Sequence, residues 1–471
     1  MWDTMGDCQI IEKVRILPPH EVIDSLIGTC DQRLHEYSCL DTSAKQHLRG
    51  DLEDWATRVG TDLADHVWLM LALWGDSAPM SRNTSLFLLT FRILSGVHAQ
   101  RYWVAAITKK ICNCGCAGRC TFDRLWEVVA WSCRVMISGV WPTHDHAGRL
   151  LVGWRADLAR TGTPFAWRAA VVAKCGDWAW HKQVLGMRGW ADSLNCWLCQ
   201  AELGNKEFGL GASWRQTSVS MSAFNAQLLM DDTWVSSIFT IPGFSLAYVK
   251  PDFMHCICLG ILGYLEGNVM WELFRQVGGS YSNPRAACAT LMNIIKVYSK
   301  KLGLEVPFGA LTVRMIKATP SKKPRMRLKA GEARYFLPVL TAMLTDAFPV
   351  VSPVEQLRLD CCRAMCRMYA VLRRWSPDES PGDLERYCRQ HLLLYRTLHD
   401  MQPEGSLQWW IYPKHHMSMH VCMTRVNPAD LWNYMDEDEI GRAAALAKHS
   451  NEAHLHTALI ERYRLHFERE L

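Results

Sequence analysis

"HVWLMLALWGD", residues 66–76, is an unbroken apolar run that ends on a carboxylate. Two more short runs follow, "TSLFLLTFRIL" (84–94) and "RYWVAAIT" (101–108), both rich in aromatic and branched residues. All three read as strands, linked in succession as hairpins. The period then changes. In "TFDRLWEVVAWSCRVMISG" (121–139), Leu125, Val128, Val129, Ser132 and Val135 recur at helical spacing, and Gly139 with Pro142 ends the helix. "WRAAVVAKCGD" (167–177) reads as a fourth strand that again ends in Asp, and "WAWHKQVLGM" (178–187) reads as a helix after it.

Strand, strand, strand, helix, strand, helix is the order of a mixed α/β, ribonuclease-H-like core. In α/β folds the chemistry collects at strand ends, where Asp76 and Asp177 are expected. The first 64 residues form an N-terminal segment with a helix expected over 44–59. The core is expected over 65–200. Residues 201–430 read as a mainly helical insertion, with a long helix over 352–375 and a solvated linker, "SPDESPGD", at 376–383. Residues 431–471 return as C-terminal helices, opened by "DEDEIGRAAALAKHSNEA" with Asp436 as the expected cap.

Composition bounds the rest. The chain has 471 residues, 49% of them hydrophobic, with 21 tryptophans, enough for sizeable cores. No run of transmembrane length stands out, and the first residues lack a signal-peptide layout. The 19 cysteines then belong in a reducing compartment, as metal ligands or buried thiols. A net charge of +5 permits a nucleic-acid partner without requiring one.

Metal-ligand spacing appears twice. "NCWLC" holds Cys196 and Cys199, and "PKHHMSMH" holds His416 and His420, four apart on one helix face. Together they make a Cys2His2 set suited to structural zinc, joining the end of the core to the end of the insertion. His415 competes with His416, and a histidine-rich surface turn is the bland alternative. "CNCGCAGRC", with Cys112, Cys114, Cys116 and Cys120, reads better as a tight turn with packed cysteines than as a second site.

Asp76, Asp177 and Glu437 are the candidate carboxylates for two Mg2+ or Mn2+ ions in phosphodiester chemistry, with Asp438 and Glu439 as rivals of Glu437. "RMIKATPSKKPRMRLKAGEAR" (314–334) has eight Lys/Arg against one Glu. It reads as an exposed loop then a helix, with Lys322, Lys323, Arg325, Arg327 and Lys329 set either along a DNA backbone or on a solvated face.

Taken in order, "CNCGCAGRCT", "CGDWAWHKQVLGMRGWADSLNCWLC", "PDFMHCICLGIL", "LKAGEARYFLPVL", "PKHHMSMH" and "WNYMDEDEIG" resemble the cut-and-paste DDE/D transposases of the CACTA and Plavaka-like, KDZ-related group. The resemblance covers about residues 71–441. It implies a ribonuclease-H-like core interrupted by a helical insertion before the last acid. It implies Asp76, Asp177 and Glu437 as the catalytic acids, and Asp252 with His255 as a supporting D-x-x-H element. The Cys and His pairs are similar to the zinc site of the V(D)J recombinase catalytic subunit. Ser77 follows the first acid where the family usually has glycine. The expected activity is DNA strand cleavage and strand transfer in the nucleus by a homo-oligomer on DNA ends, with no membrane partner. The alternative is a catalytically silent, zinc-stabilised DNA-binding derivative. A zinc hydrolase is disfavoured, because "HHMSMH" has no Glu between its histidines.

Overall fold

The computed structural model describes residues 14–28, 30–38, 46–81, 84–97, 99–108, 116, 118–230, 234–450 and 455–470. The chain is mixed α/β and divides into two compact units. The first unit comprises Met1–Gly189, Val219–Lys250 and Asn433–Leu471; the second comprises Trp190–Ser218 and Pro251–Trp432. The boundary therefore differs from the one expected at residue 200. The C-x-x-C segment groups with the helical unit, because its cysteines fold onto histidines of that unit.

The first unit opens with helices α1 (Pro19–Ile27), α2 (Asp31–Ser38) and α3 (Gln46–Val59). Residues 44 and 45 of the expected helix lie outside the described residues. Strands β1 (Val67–Pro79), β2 (Ser85–Ile93) and β3 (Tyr102–Thr108) follow, then α4 (Arg119–Ser138), α5 (Trp154–Thr161), β4 (Trp167–Cys175), α6 (Trp178–Leu185) and α7 (Met221–Met230). The sheet order is β3-β2-β1-β4. β1 pairs antiparallel with β2, and β2 with β3, while β4 lies parallel to β1 on its other edge. β1 does not end at Asp76. It continues to Pro79 because β2 keeps pairing with it as far as Pro79↔Ser85.

Trp68 through Gly75, all of β3 and nearly all of β4 are buried. Continuous burial rather than alternation means both sheet faces are covered. The five residues expected to share a face of α4 are all buried, and α4 packs on β4. Its C-terminal Gly139 has a φ of 71°, which lets Phe165 N–H reach the Gly139 carbonyl.

The second unit is helical. A π-helical turn at Met254–Ile261 runs into α8 (Leu262–Gln276), followed by α9 (Pro284–Lys301), α10 (Val313–Ile316), α11 (Ala330–Ala342), α12 (Pro353–Arg373), α13 (Ser380–Asp400) and α14 (Pro413–Cys422). Ser352 caps α12 by accepting from Glu355 N–H, with Pro353 in the first turn. α12 and α13 form a helical hairpin, with Cys361 Sγ 3.2 Å from His391 Nδ1 in its seam. The expected linker over 376–383 is half helix. Pro381 does not prevent this, since proline is tolerated in a first turn. One run passed over in the sequence, Met254–Gln276, has the length and apolarity to span a bilayer, but 83% of its apolar window is buried within the protein.

The chain then supplies α15 (Tyr434–Lys448) and α16 (Leu455–Glu470) to the first unit. α15 packs on β1 and β2, and α16 on β3, where the Tyr463 ring stacks on Trp103 at 4.7 Å. Asp436 is not the cap of α15; Asn433 precedes the helix and Asp436 sits inside its first turn.

Candidate metal centres

β1 and β4 are in register at Trp74↔Cys175. Asp76 and Asp177 therefore each stand two residues beyond paired positions on neighbouring strands. Asp177 caps α6, accepting from Trp180 N–H at 2.6 Å. Glu437 joins them from α15, its carboxyl hydrogen-bonded to that of Asp76. All three acids are half-buried, at the rim of the sheet rather than within it. Burial, then the charges of Asp177 and Glu437, pushes Asp76 up to about 8.

The acidic neighbours of Glu437 are accounted for. Asp436 makes a buried two-point ion pair with Arg101, Nε–Oδ1 and Nη2–Oδ2 both 2.9 Å. Glu439 accepts from the Trp103 indole at 2.6 Å and pairs with Arg442. Asp438 is exposed. One anchor, Arg101, immediately precedes β3 and the other, Trp103, lies in it, and they leave Glu437 as the member of the run that meets Asp76.

Several supporting residues were not foreseen. Gly75 and Gly176 each precede an acid, and the Trp180 indole lies against both: a Cβ added there would come within 2.3 and 2.6 Å of it. The repeated Gly-Asp in "LWGD" and "KCGD" was a readable signal for this. Lys174 is fully buried, donates to the Cys175 carbonyl at 2.7 Å and lies over Trp126 and Trp180. Burial lowers it to about 7, against the opposing pull of Asp76, Asp436 and Asp177 among others. A lysine near the end of a strand carries no sequence mark of such a position.

The second centre lies wholly in the helical unit. One ligand atom each from Cys196, Cys199, His416 and His420 fall within 4.8 Å of one another. Cys199 Sγ is 3.3 Å from Nε2 of both histidines, which are 3.2 Å apart. Tetrahedral zinc with ligands at about 2.0–2.3 Å spaces them about 3.3–3.8 Å apart, so the group can hold such an ion. Leu198 N–H points at Cys196 Sγ at 3.3 Å, as in a turn folded around a bound sulfur. Hydrogen bonding from Cys196, and then from His416 and His420, holds the Cys199 thiol far down, while burial pushes Cys196 up. His415 points elsewhere: its Nδ1 accepts from Tyr412 N–H at 3.0 Å and its ring packs on Tyr395. Trp214, also unforeseen, packs edge-on against His416 at 4.7 Å.

The remaining candidates are dispersed. Asp252 accepts from both the backbone N–H and Nδ1 of His255, at 2.9 and 2.6 Å, and caps the π-helical turn. Cys112 and Cys114 lie outside the described residues. Cys116 and Cys120 approach to 3.3 Å, but Cys120 is exposed rather than packed inside, because it opens α4 at the surface. The basic stretch is an exposed loop followed by α11, and the loop is tethered by its backbone. Arg325 and Arg327 N–H donate to Ile316 and Met315 carbonyls, and Met326 N–H donates to the Gly263 carbonyl. Lys322, Arg325, Arg327 and Lys329 are exposed and Lys323 is half-buried. Lys329 leads into α11, its N–H held by Glu332.

No protein-family model matches the chain, and a search of curated proteins finds none similar.

Proposed function

We propose that the first unit is a ribonuclease-H-like catalytic core that cleaves DNA and transfers the cut strand, as DDE/D transposases do. The observation that carries this reading is the meeting of Asp76, Asp177 and Glu437, drawn from two neighbouring parallel strands and a distant helix. The sheet order β3-β2-β1-β4, with three antiparallel strands and one parallel crossover through α4, suits the same core.

The donor set fits hard divalent cations. It is all carboxylate and half-exposed to an incoming substrate, and Asp177 and Glu437 crowd negative charge onto Asp76. Asp76, Asp177 and Glu437 would hold Mg2+ or Mn2+, which would supply activation of an attacking oxygen and stabilisation of a leaving one. The chain's own part is positional. Asp177 is locked by its bond from Trp180 N–H, Glu437 is aimed by the Arg101–Asp436 and Trp103–Glu439 anchors, and Asp76 is fixed in a paired strand. No covalent protein intermediate is required.

Zinc at Cys196, Cys199, His416 and His420 would be structural. Four protein ligands leave no open position for water, which argues against a zinc hydrolase. DNA partners, assembly as a homo-oligomer on DNA ends and a nuclear location go with this reading. The runner-up, a silent zinc-stabilised DNA-binding derivative, leaves the convergence of the acids without a purpose.

The test is cleavage and strand transfer by purified protein with Mg2+ or Mn2+, comparing wild type with Asp177→Ala. Metal-dependent cutting that disappears in the variant is expected. DNA binding without cutting, unchanged by the substitution, would favour the silent reading.

A further inference from the structure

The ordered basic loop of the second unit closes one side of a cavity of about 420 Å3, lined by Tyr264, Lys322, Lys323, Arg325, Arg327 and Tyr412 among others, with no carboxylate in its wall. The cations are held in place. The loop backbone lies directly on α8 at Gly267, where an added Cβ would come within 2.4 Å of Arg325 backbone atoms. Arg325 donates to the Leu259 carbonyl at 2.7 Å and stands over the Tyr264 ring. Tyr264 and Tyr412 stack at 4.1 Å to form an aromatic wall.

A strained residue presents a further aromatic. Trp409 has a φ of 53°, the only positive φ of a non-glycine among the described residues. Its buried indole donates to Glu272 at 3.0 Å and its N–H to Asn268 at 2.8 Å. The twist turns the next residue outward: Trp410 is 43% exposed, with Lys323 Nζ 3.5 Å from its ring centroid. Trp410 stands beside the cavity rather than in its lining, and Lys323, which lines it, joins the two.

We propose that this cavity binds an unpaired nucleotide, with the phosphate among Lys322, Lys323, Arg325 and Arg327 and the base stacked on Trp410 at its edge. Cations alone would serve a duplex backbone equally well. Ordered cations beside an exposed indole match single-strand recognition, where bases stack on aromatic side chains. This deepens the DNA-processing reading and rests on it only for the source of the strand: an unpaired DNA end or a free nucleotide presents the same chemistry.

The experiment uses the full chain and fluorescence anisotropy with a labelled 15-nucleotide single strand, the same sequence as duplex, and competition by dAMP or inorganic phosphate. The single strand should bind at least about tenfold tighter than the duplex. Trp410→Ser should weaken the single strand about tenfold and leave duplex binding and phosphate competition unchanged, with Trp410→Phe restoring it. Lys323→Gln should weaken single-strand binding and phosphate competition together. Competition by dAMP at concentrations where phosphate fails would identify a free nucleotide as sufficient. Equal binding of duplex and single strand, or indifference to Trp410→Ser, would overturn the proposal. Asp177→Ala separates the two readings. If it still binds the single strand while wild type never cuts, the catalytic reading fails and the pocket stands. If wild type cuts but Trp410→Ser changes nothing, the pocket fails alone.

Discussion

The carboxyl groups of Asp76 and Glu437 share a hydrogen bond, although one lies in β1 and the other in α15, 361 residues further along the sequence. Two acids this close cannot both ionise freely; they need a shared proton or a cation. Glu437→Gln and Asp177→Asn should each reduce metal-dependent strand cleavage on the order of 10³-fold or more, the scale of losing several kcal/mol of charge stabilisation. Mg2+ should raise the melting temperature of wild type and fail to raise that of either variant. Thermal scans with and without Mg2+ decide this, and an equal Mg2+ shift in all three proteins would remove the acids from the metal site.

The Arg101–Asp436 pair is buried, with both side chains 4% exposed. Asp436→Asn removes one charge and strands the other. The expected cost is about 3–5 kcal/mol of stability, read from urea unfolding. Asp438→Asn, two residues on and exposed, should change stability by no more than about 0.5 kcal/mol. Comparable effects from the two would mean α15 is not anchored through Asp436.

Purified protein should contain one zinc per chain at the Cys/His cluster. His416→Ala, His420→Ala and Cys199→Ser should each lose it, while His415→Ala should keep it, because His415 is bonded back to Tyr412. Metal content by mass spectrometry is the measurement. Strong chelators should lower the thermal midpoint of wild type, since binding energy at such sites is also folding energy. Retained zinc in His416→Ala together with loss in His415→Ala would reverse the assignment.

Glu266 is fully buried in α8, and neither of its carboxyl oxygens has a hydrogen-bond partner among the described residues. Burial alone raises it well above its usual 4.5. A raised folded value means the folded state holds the proton longer than the unfolded one. Its contribution is therefore full below about 4.5 and is lost as pH climbs toward the folded value. Glu266→Leu should stabilise the protein by about 1–3 kcal/mol at pH 8 and by less at pH 5. Urea midpoints at the two pH values test this; a gain independent of pH would mean the carboxyl is ionised and solvated in the folded state.

The local elements of the first unit were legible because their signals are local. The apolar runs before Asp76 and Asp177 became β1 and β4, and the helical spacing from Leu125 to Val135 became α4. The linker at 376–383 was misread because Pro381 and its polar neighbours signal a turn, yet the same residues are admissible in a helix's first turn. The basic stretch is the exposed loop and following helix that its sequence suggests, but its tethers, Gly263 and Gly267 on α8, lie too far from it in sequence to be read there.

The sequence by itself determined which residue types were on hand: two Gly-Asp strand ends, a C-x-x-C, paired histidines and an acidic run before the last helices. Those depend on period and spacing along the chain. Only the tertiary structure decided which member of each set is used. Glu437 rather than Asp438 or Glu439 meets Asp76, because Trp103 claims Glu439 and Asp438 is exposed. His416 rather than His415 meets Cys199, because Tyr412 holds the other ring back. Arg101, Trp103 and Cys199 lie hundreds of residues from the side chains they meet, and even the local Tyr412–His415 bond shows no periodicity along the chain that would mark it.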